Sequence, residues 1–186
     1  MNILLTSIVG LASIYLLAMI IVLGRRKPGY SHAVHTISEL GEVGAPQQHL
    51  VAYGVFLPVG AASSVVAFCL AEQSQSAALL AAAVGVGYVV AAFFPCDPGS
   101  PVFGSLRQTI HNIGGGIEYA GGGIALMKLA EDFDQPFRAG GFVVLAVLAC
   151  LTLLPPSTRR GAIQRVGESL LFGLLMYAIW LVWSQV

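Results

Sequence analysis

Charge is scarce in this chain. Nine Lys and Arg and nine Asp and Glu are spread over 186 residues, 10% of the total, where soluble domains carry about 25%. So few charges cannot cover a water-exposed surface, and lipid must supply part of the outside. The formal net charge is zero, which gives no basic face for a nucleic acid. Cysteine is sparse too. Cys69, Cys96 and Cys150 lie far apart without a Cys-x-x-Cys pair, which excludes a disulfide framework and a thiolate zinc site. The chain has no nucleotide-binding loop, no nucleophile elbow and no Gly-x-Gly-x-x-Gly after a strand.

Apolar residues are abundant instead, at 56% of the sequence. A bilayer core about 30 Å thick needs roughly 20 apolar residues per helix. Six stretches meet or approach that length: Ile3–Leu23, Leu50–Leu70, Ala77–Phe94, Ile110–Leu129, Gly140–Leu154 and Ser169–Trp183. Pro155 and Pro156 stop the fifth. The expected fold is all-α: one polytopic membrane bundle of six transmembrane helices over residues 1–186, with a site-bearing cytoplasmic segment at about 28–49. The first stretch does not read as a cleavable signal peptide, because it lacks a basic n-region and Arg25, Arg26 and Lys27 follow it.

Lys and Arg in the loops set orientation. Arg25, Arg26, Lys27, Arg107, Arg159, Arg160 and Arg165 fall at one end of the bundle, and only Lys128 and Arg138 at the other. The richer end is expected to face the cytoplasm, with both termini outside an inner (cytoplasmic) membrane. Trp180 and Trp183 suit an outer aromatic belt.

A few polar residues need a reason to be there. All four histidines, His32, His35, His49 and His111, fall at the basic end. If Ser31–Glu42 is helical, His32, His35, Glu39 and Glu42 share a face, and two imidazoles with a carboxylate suit a divalent metal. Against that, Thr36-Ile37-Ser38-Glu39 fits a capping box, which would start a helix at Thr36 and take His32 off that face. Asp97, in Phe94-Pro95-Cys96-Asp97-Pro98-Gly99, either caps a turn or points inward and orients the His111 imidazole.

Glu118 lies near the middle of the fourth stretch. A carboxylate at that depth costs roughly 2.5–3.5 kcal/mol on insertion scales, so it faces the bundle, finds a partner or stays protonated. His111 is two turns away on the same face, about 10 Å along the axis. Tyr53, Ser63, Ser64 and Tyr88 are potential partners in neighbouring stretches. Gly114-Gly115-Gly116 and Gly121-Gly122-Gly123 flank Glu118. They form either a tight helix seam or a bare backbone that leaves room for a ligand.

An ordered series of residues carries a resemblance. Tyr30-Ser31-His32, Ile37-Ser38-Glu39-Leu40-Gly41, Phe56 with Gly60, Phe94-Pro95-Cys96-Asp97 and His111-Asn112 resemble the bacterial and archaeal membrane family known as domain of unknown function 998, over about Pro28 to Tyr119. Members often carry Thr where this chain has Cys96. More loosely, the Ile-Ser loop and the Phe-x-x-x-Gly span are similar to the eukaryotic Frag/DRAM/Sfk group. That resemblance implies six spans and a link to lipid handling, and it supplies no reaction.

The resulting expectation is a membrane protein with a ligand pocket among Ser38, Glu39, Asp97, His111 and Glu118, at the cytoplasmic end, handling a membrane lipid or other apolar ligand. Three other readings stand beside it. One is a metal-dependent intramembrane hydrolase with zinc on His32, His35 and His111. Another is a haem protein with two axial histidines. The third is a non-catalytic subunit of a larger membrane complex or homo-oligomer.

Overall fold

The computed structural model describes residues 1–155 and 158–184. Pro156, which closes the fifth apolar stretch, and the C-terminal Val186 lie outside the described residues. Among those described, every regular element is helical. Seven α-helices follow in order: α1 (Asn2–Arg26), α2 (Leu57–Leu70), α3 (Gln75–Phe93), α4 (Leu106–Gly116), α5 (Gly122–Phe133), α6 (Phe137–Leu153) and α7 (Arg160–Ser184). A π-helical turn, Leu50–Phe56, runs directly into α2, and another, Ile117–Gly121, joins α4 to α5 without a break. The described residues thus make six helical rods. Four are long and apolar enough to cross a membrane: Asn2–Arg26, Leu50–Leu70, Gln75–Phe93 and Arg160–Ser184. Phe137–Leu153 is a shorter apolar helix.

The packing has the inside and outside that lipid imposes. On α1 the buried residues Leu5, Val9, Ala12, Leu16, Ile20 and Leu23 recur every three or four positions, which places them on one face. Ile3, Leu4, Leu11, Ile14 and Leu17 point outward. A large apolar outer face is what a helix presents to acyl chains. Helix α3 sits centrally, packed against α2, the α4–α5 rod and α7. Small residues on α2 and α3 permit this. A Cβ added at Gly60 would stand 2.9 Å from the Val89 backbone nitrogen, and one at Gly87 would meet the Glu118 side chain. Small residues substitute for a hydrophobic drive between helices in lipid.

The loops gather at two ends. At the basic end the segment after α1 is folded onto the bundle. Ile37 and Leu40 are buried, Val43 N–H donates to the Cys96 carbonyl at 2.9 Å, and the α7 amides of Gly161 and Ala162 donate to Val34 and Ala33 carbonyls at 3.0 and 2.9 Å. Arg165 reinforces the join by donating to the carbonyls of His35 (3.2 Å) and Gly161 (2.8 Å) and to the Tyr30 hydroxyl (2.7 Å).

The structure decides one open alternative here and corrects one expectation. Ser31–Glu42 is not one helix. Thr36 N–H donates to Glu39 Oε1 at 2.8 Å while Glu39 N–H donates to Thr36 Oγ1 at 3.3 Å, the reciprocal pair of a capping box. It opens only a single 3₁₀ turn, Ser38–Gly41. The last helix starts at Arg160, not Ser169. Its first two turns are polar but face protein, where hydropathy does not register them.

Candidate functional site

Two polar layers lie inside the basic half of the bundle. The outer one is a cleft of about 340 Å³ between the first loop, the residues after Gly99, α4, α6 and α7. Its inner wall begins at His111. Nδ1 lies 2.8 Å from the Phe94 carbonyl, and Nε2 lies 3.1 Å from Ser38 Oγ. A carbonyl only accepts, so Nδ1 carries the proton. Nε2 of the neutral ring then accepts from the Ser38 hydroxyl. Arg160, Gln164 and Asn112 continue the polar wall, while Leu148, Leu151 and Val102 form an apolar flank. The backbone of Gly115 and Gly116 borders the cleft, and a Cβ at either would meet nothing within 4 Å. The glycine clusters therefore divide. A Cβ at Gly114, Gly122 or Gly123 would collide with a neighbouring helix, whereas Gly115 and Gly116 leave open space.

The inner layer is a pair of acids. Glu118 and Glu168 are 7% and 6% exposed, and the two acids are electrostatic neighbours. Tyr88 donates to Glu168 Oε2 at 2.8 Å and Tyr119 to Oε1 at 2.6 Å. Glu118 Oε1 is buried without a donor among the described residues. Two neighbouring carboxyls in an apolar interior repel strongly when both are ionised, a repulsion that a proton held between them would relieve. Glu118 stands in the π turn Ile117–Gly121, a local unwinding frequent at functional sites. Tyr119 connects the layers, since it also lines the cleft.

The other sequence-derived residues have different surroundings. Asp97 accepts from the Ser105 amide and hydroxyl and from Arg107 Nη2, each at 2.8 Å. These donors, the Ser105 amide foremost, hold its carboxyl below the usual carboxylate range. It caps the approach to α4 and does not reach His111. Glu39 is occupied by Thr36. Glu42 pairs with Lys27 at 2.6 Å and accepts from Gly99 N–H at 2.8 Å, clamping the first and third loops together. Cys96 beside them is fully buried, and burial pushes its thiol up to about 12.

His32, His35 and His111 are not brought together as a zinc site. His32 Nδ1 is 3.1 Å from Arg165 Nη2, and His35 Nδ1 accepts from Ser31 N–H at 2.8 Å. Among the described residues no group of three or more His, Cys, Asp or Glu is placed to hold a metal ion. Of the partners anticipated for Glu118, Tyr88 joins the acid layer, whereas Tyr53 is half exposed and Ser64 donates to the Gly60 carbonyl of its own helix. Glu168 escaped the sequence reading because it lies one residue outside the last apolar stretch. Its signal is the four-residue spacing of Arg160, Gln164 and Glu168, a polar stripe on one face of α7.

Fold and packing define an all-helical membrane protein with a polar layer inside an apolar bundle. Residues 9–184 match the model of the family described as protein of unknown function, DUF998, and the chain belongs to that family. No curated protein and no solved structure matches it.

Proposed function

We propose that the protein holds a lipid or other amphiphile in the cleft beside His111. The observation that carries this reading is the two-sided lining. One wall offers Ser38, His111, Asn112 and Gln164, the other Leu148 and Leu151, and the bare backbone of Gly115 and Gly116 leaves the volume between them. A cleft apolar on one side, with a few convergent polar groups on the other, is the usual form of a small-molecule site. In the proposed setting the six helical rods all span an inner membrane. The basic end faces the cytoplasm, both termini lie outside, and the cleft opens at head-group depth. The histidine arrangement gives no support to the metallo-hydrolase or haem readings.

Gly116→Leu tests the proposal. The added side chain enters open space, so it should fill the cleft without disturbing the helix seams. Amphiphile that co-purifies with the parent in mild detergent, read by native mass spectrometry, should fall at least tenfold in the variant, while the two proteins, once delipidated, unfold at the same temperature. Equal loading of the two proteins would refute the site.

A further inference from the structure

We propose that the cleft selects an amphiphile with an anionic head group, a phosphate, sulfate or carboxylate, and that Arg160 is the residue that receives it. This rests on the amphiphile reading above and adds the charge of the ligand.

Arg160 is the first residue of α7 and lines the cleft, yet it is only 6% exposed. Its Nη2 donates to the Ser100 carbonyl at 3.2 Å. Its Nε is buried with no acceptor among the described residues. No carboxylate lies within ion-pair distance of it there either. The ion pairs that form are Lys27 with Glu42, Arg107 with Asp97 and Arg138 with Asp134. Glu39, the acid in this region, acts on Arg160 through space without pairing with it, and its carboxylate is already engaged by Thr36.

A guanidinium does not escape burial by losing its proton, since it stays charged in proteins. A buried, uncompensated charge is costly enough that proteins pair it or bind a counter-charge. The cleft supplies none of its own, because its lining contains an arginine and a histidine and no Asp or Glu. The missing partner is therefore an anion in the cleft. The planar fork of arginine matches phosphate and carboxylate oxygens, which gives geometry as well as charge. Arg165 shows the contrast. One turn further along α7, it is consumed by His35, Gly161, Tyr30 and His32, and it serves the fold. Beyond Arg160 the apolar flank of Leu148 and Leu151 continues the cleft, so the anion has somewhere to place an acyl tail.

The test uses the full chain, delipidated in a nonionic detergent, with phosphatidylglycerol, phosphatidylcholine and inorganic phosphate as separate probes. Native mass spectrometry reads bound lipid and thermal unfolding reads stabilisation. The parent should retain phosphatidylglycerol over phosphatidylcholine by about tenfold, a difference of about 1.4 kcal/mol. Arg160→Gln should bring the two lipids to parity, and Arg160→Lys should keep part of the preference. Without ligand, Arg160→Gln should be at least as stable as the parent, because it removes an uncompensated charge, and it should lose the stabilisation by phosphatidylglycerol. Displacement of phosphatidylglycerol by millimolar inorganic phosphate would support the anion site with the free ion as a source. No displacement, with the lipid preference intact, would support the lipid head group. Equal binding of both lipids by the parent would overturn the inference and leave the amphiphile reading standing, a result that stands even if Arg160→Gln does not fold. A preference unchanged in a folded Arg160→Gln would overturn the role of Arg160. Failure of the parent to bind either lipid or phosphate would overturn both readings.

Discussion

Replacing Glu168 with leucine isolates what the buried acid pair contributes to the bundle. Glu168 accepts from Tyr88 on α3 and from Tyr119 in the π turn, and it faces Glu118. Leucine accepts nothing, so two phenolic hydroxyls and one carboxyl lose their partner together. Opposing this, leucine removes an acid that is itself costly to bury. Interhelical hydrogen bonds in membrane proteins contribute only about 0.6 kcal/mol on average, so losing two sets a floor near 1 kcal/mol. A buried hydroxyl left unsatisfied costs about 1–3 kcal/mol, so two set a ceiling near 6. The structure narrows the range. Both phenols are buried, Tyr88 at 4% and Tyr119 at 3% exposed, but Tyr119 borders the cleft, where a new partner can reach it, and Tyr88 does not. One full penalty and one partial penalty give an expected loss of about 2–4 kcal/mol. Glu168→Gln keeps an amide oxygen for one tyrosine and should cost about 1 kcal/mol or less. The assay is reversible unfolding in mixed micelles, followed by circular dichroism. The reasoning is refuted if Glu168→Leu is as stable as the parent, or if the glutamine variant is damaged as severely as the leucine variant.

Three further outcomes follow from the same geometry. A reporter fused after Val186 should be active outside the cytoplasm and silent inside it, and the reverse result would turn the proposed orientation over. In the folded protein, thiol-reactive probes should label Cys69 and Cys150 well before Cys96, which reacts only on unfolding. The Cys96 value is raised from 9.0 to about 12 by burial, so its contribution to stability is whole below about pH 9 and is lost as pH climbs toward 12; Cys96→Ala should flatten that alkaline decline. Asp97 works in the opposite direction. Its carboxyl is held below 3.8, so the turn into α4 stays closed at neutral pH and opens only as pH falls through that lower value. Hydrogen exchange at the Ser105 amide should report this, and Asp97→Asn should raise that exchange at neutral pH and remove its dependence on acid.

The helical rods were legible in the sequence wherever lipid is their surroundings. Apolar runs mark Ile3–Leu23 and Leu50–Leu70 because their outer faces must match acyl chains, and the helices Asn2–Arg26 and Leu50–Leu70 cover them closely. Where a helix turns polar residues toward protein, the signal fails. The first two turns of α7 carry Arg160, Gln164, Arg165 and Glu168, which a hydropathy window reads as loop. Each has a partner or a cleft inside the bundle. The first loop was ambiguous for another reason: His32, His35 and Glu39 fit a helical face by spacing, while Thr36 and Glu39 fit a capping box. Only the reciprocal bonds of Thr36 and Glu39 distinguish them.

The candidate site was half legible for the same physical reason. Glu118 stood out because its neighbours in sequence are apolar, so its cost in lipid was visible. Glu168 and Arg160 stood among other polar residues, and their cost appears only once the fold buries them. Polar spacing on α7 would have found both, because Arg160, Gln164 and Glu168 follow one another at four-residue intervals and project from one face. That stripe orders the chemistry along the helix. At its outer end an uncompensated cation borders the cleft, at its inner end an acid meets a second acid, and Gln164 between them accepts from Ile37 N–H at 2.7 Å and fixes the first loop over the cleft. Tyr119 touches both the cleft and the inner acid. Tyr119→Phe removes the hydrogen bond to Glu168 while leaving the ring in the cleft wall, so it should weaken the acid layer and leave the cleft's volume unchanged.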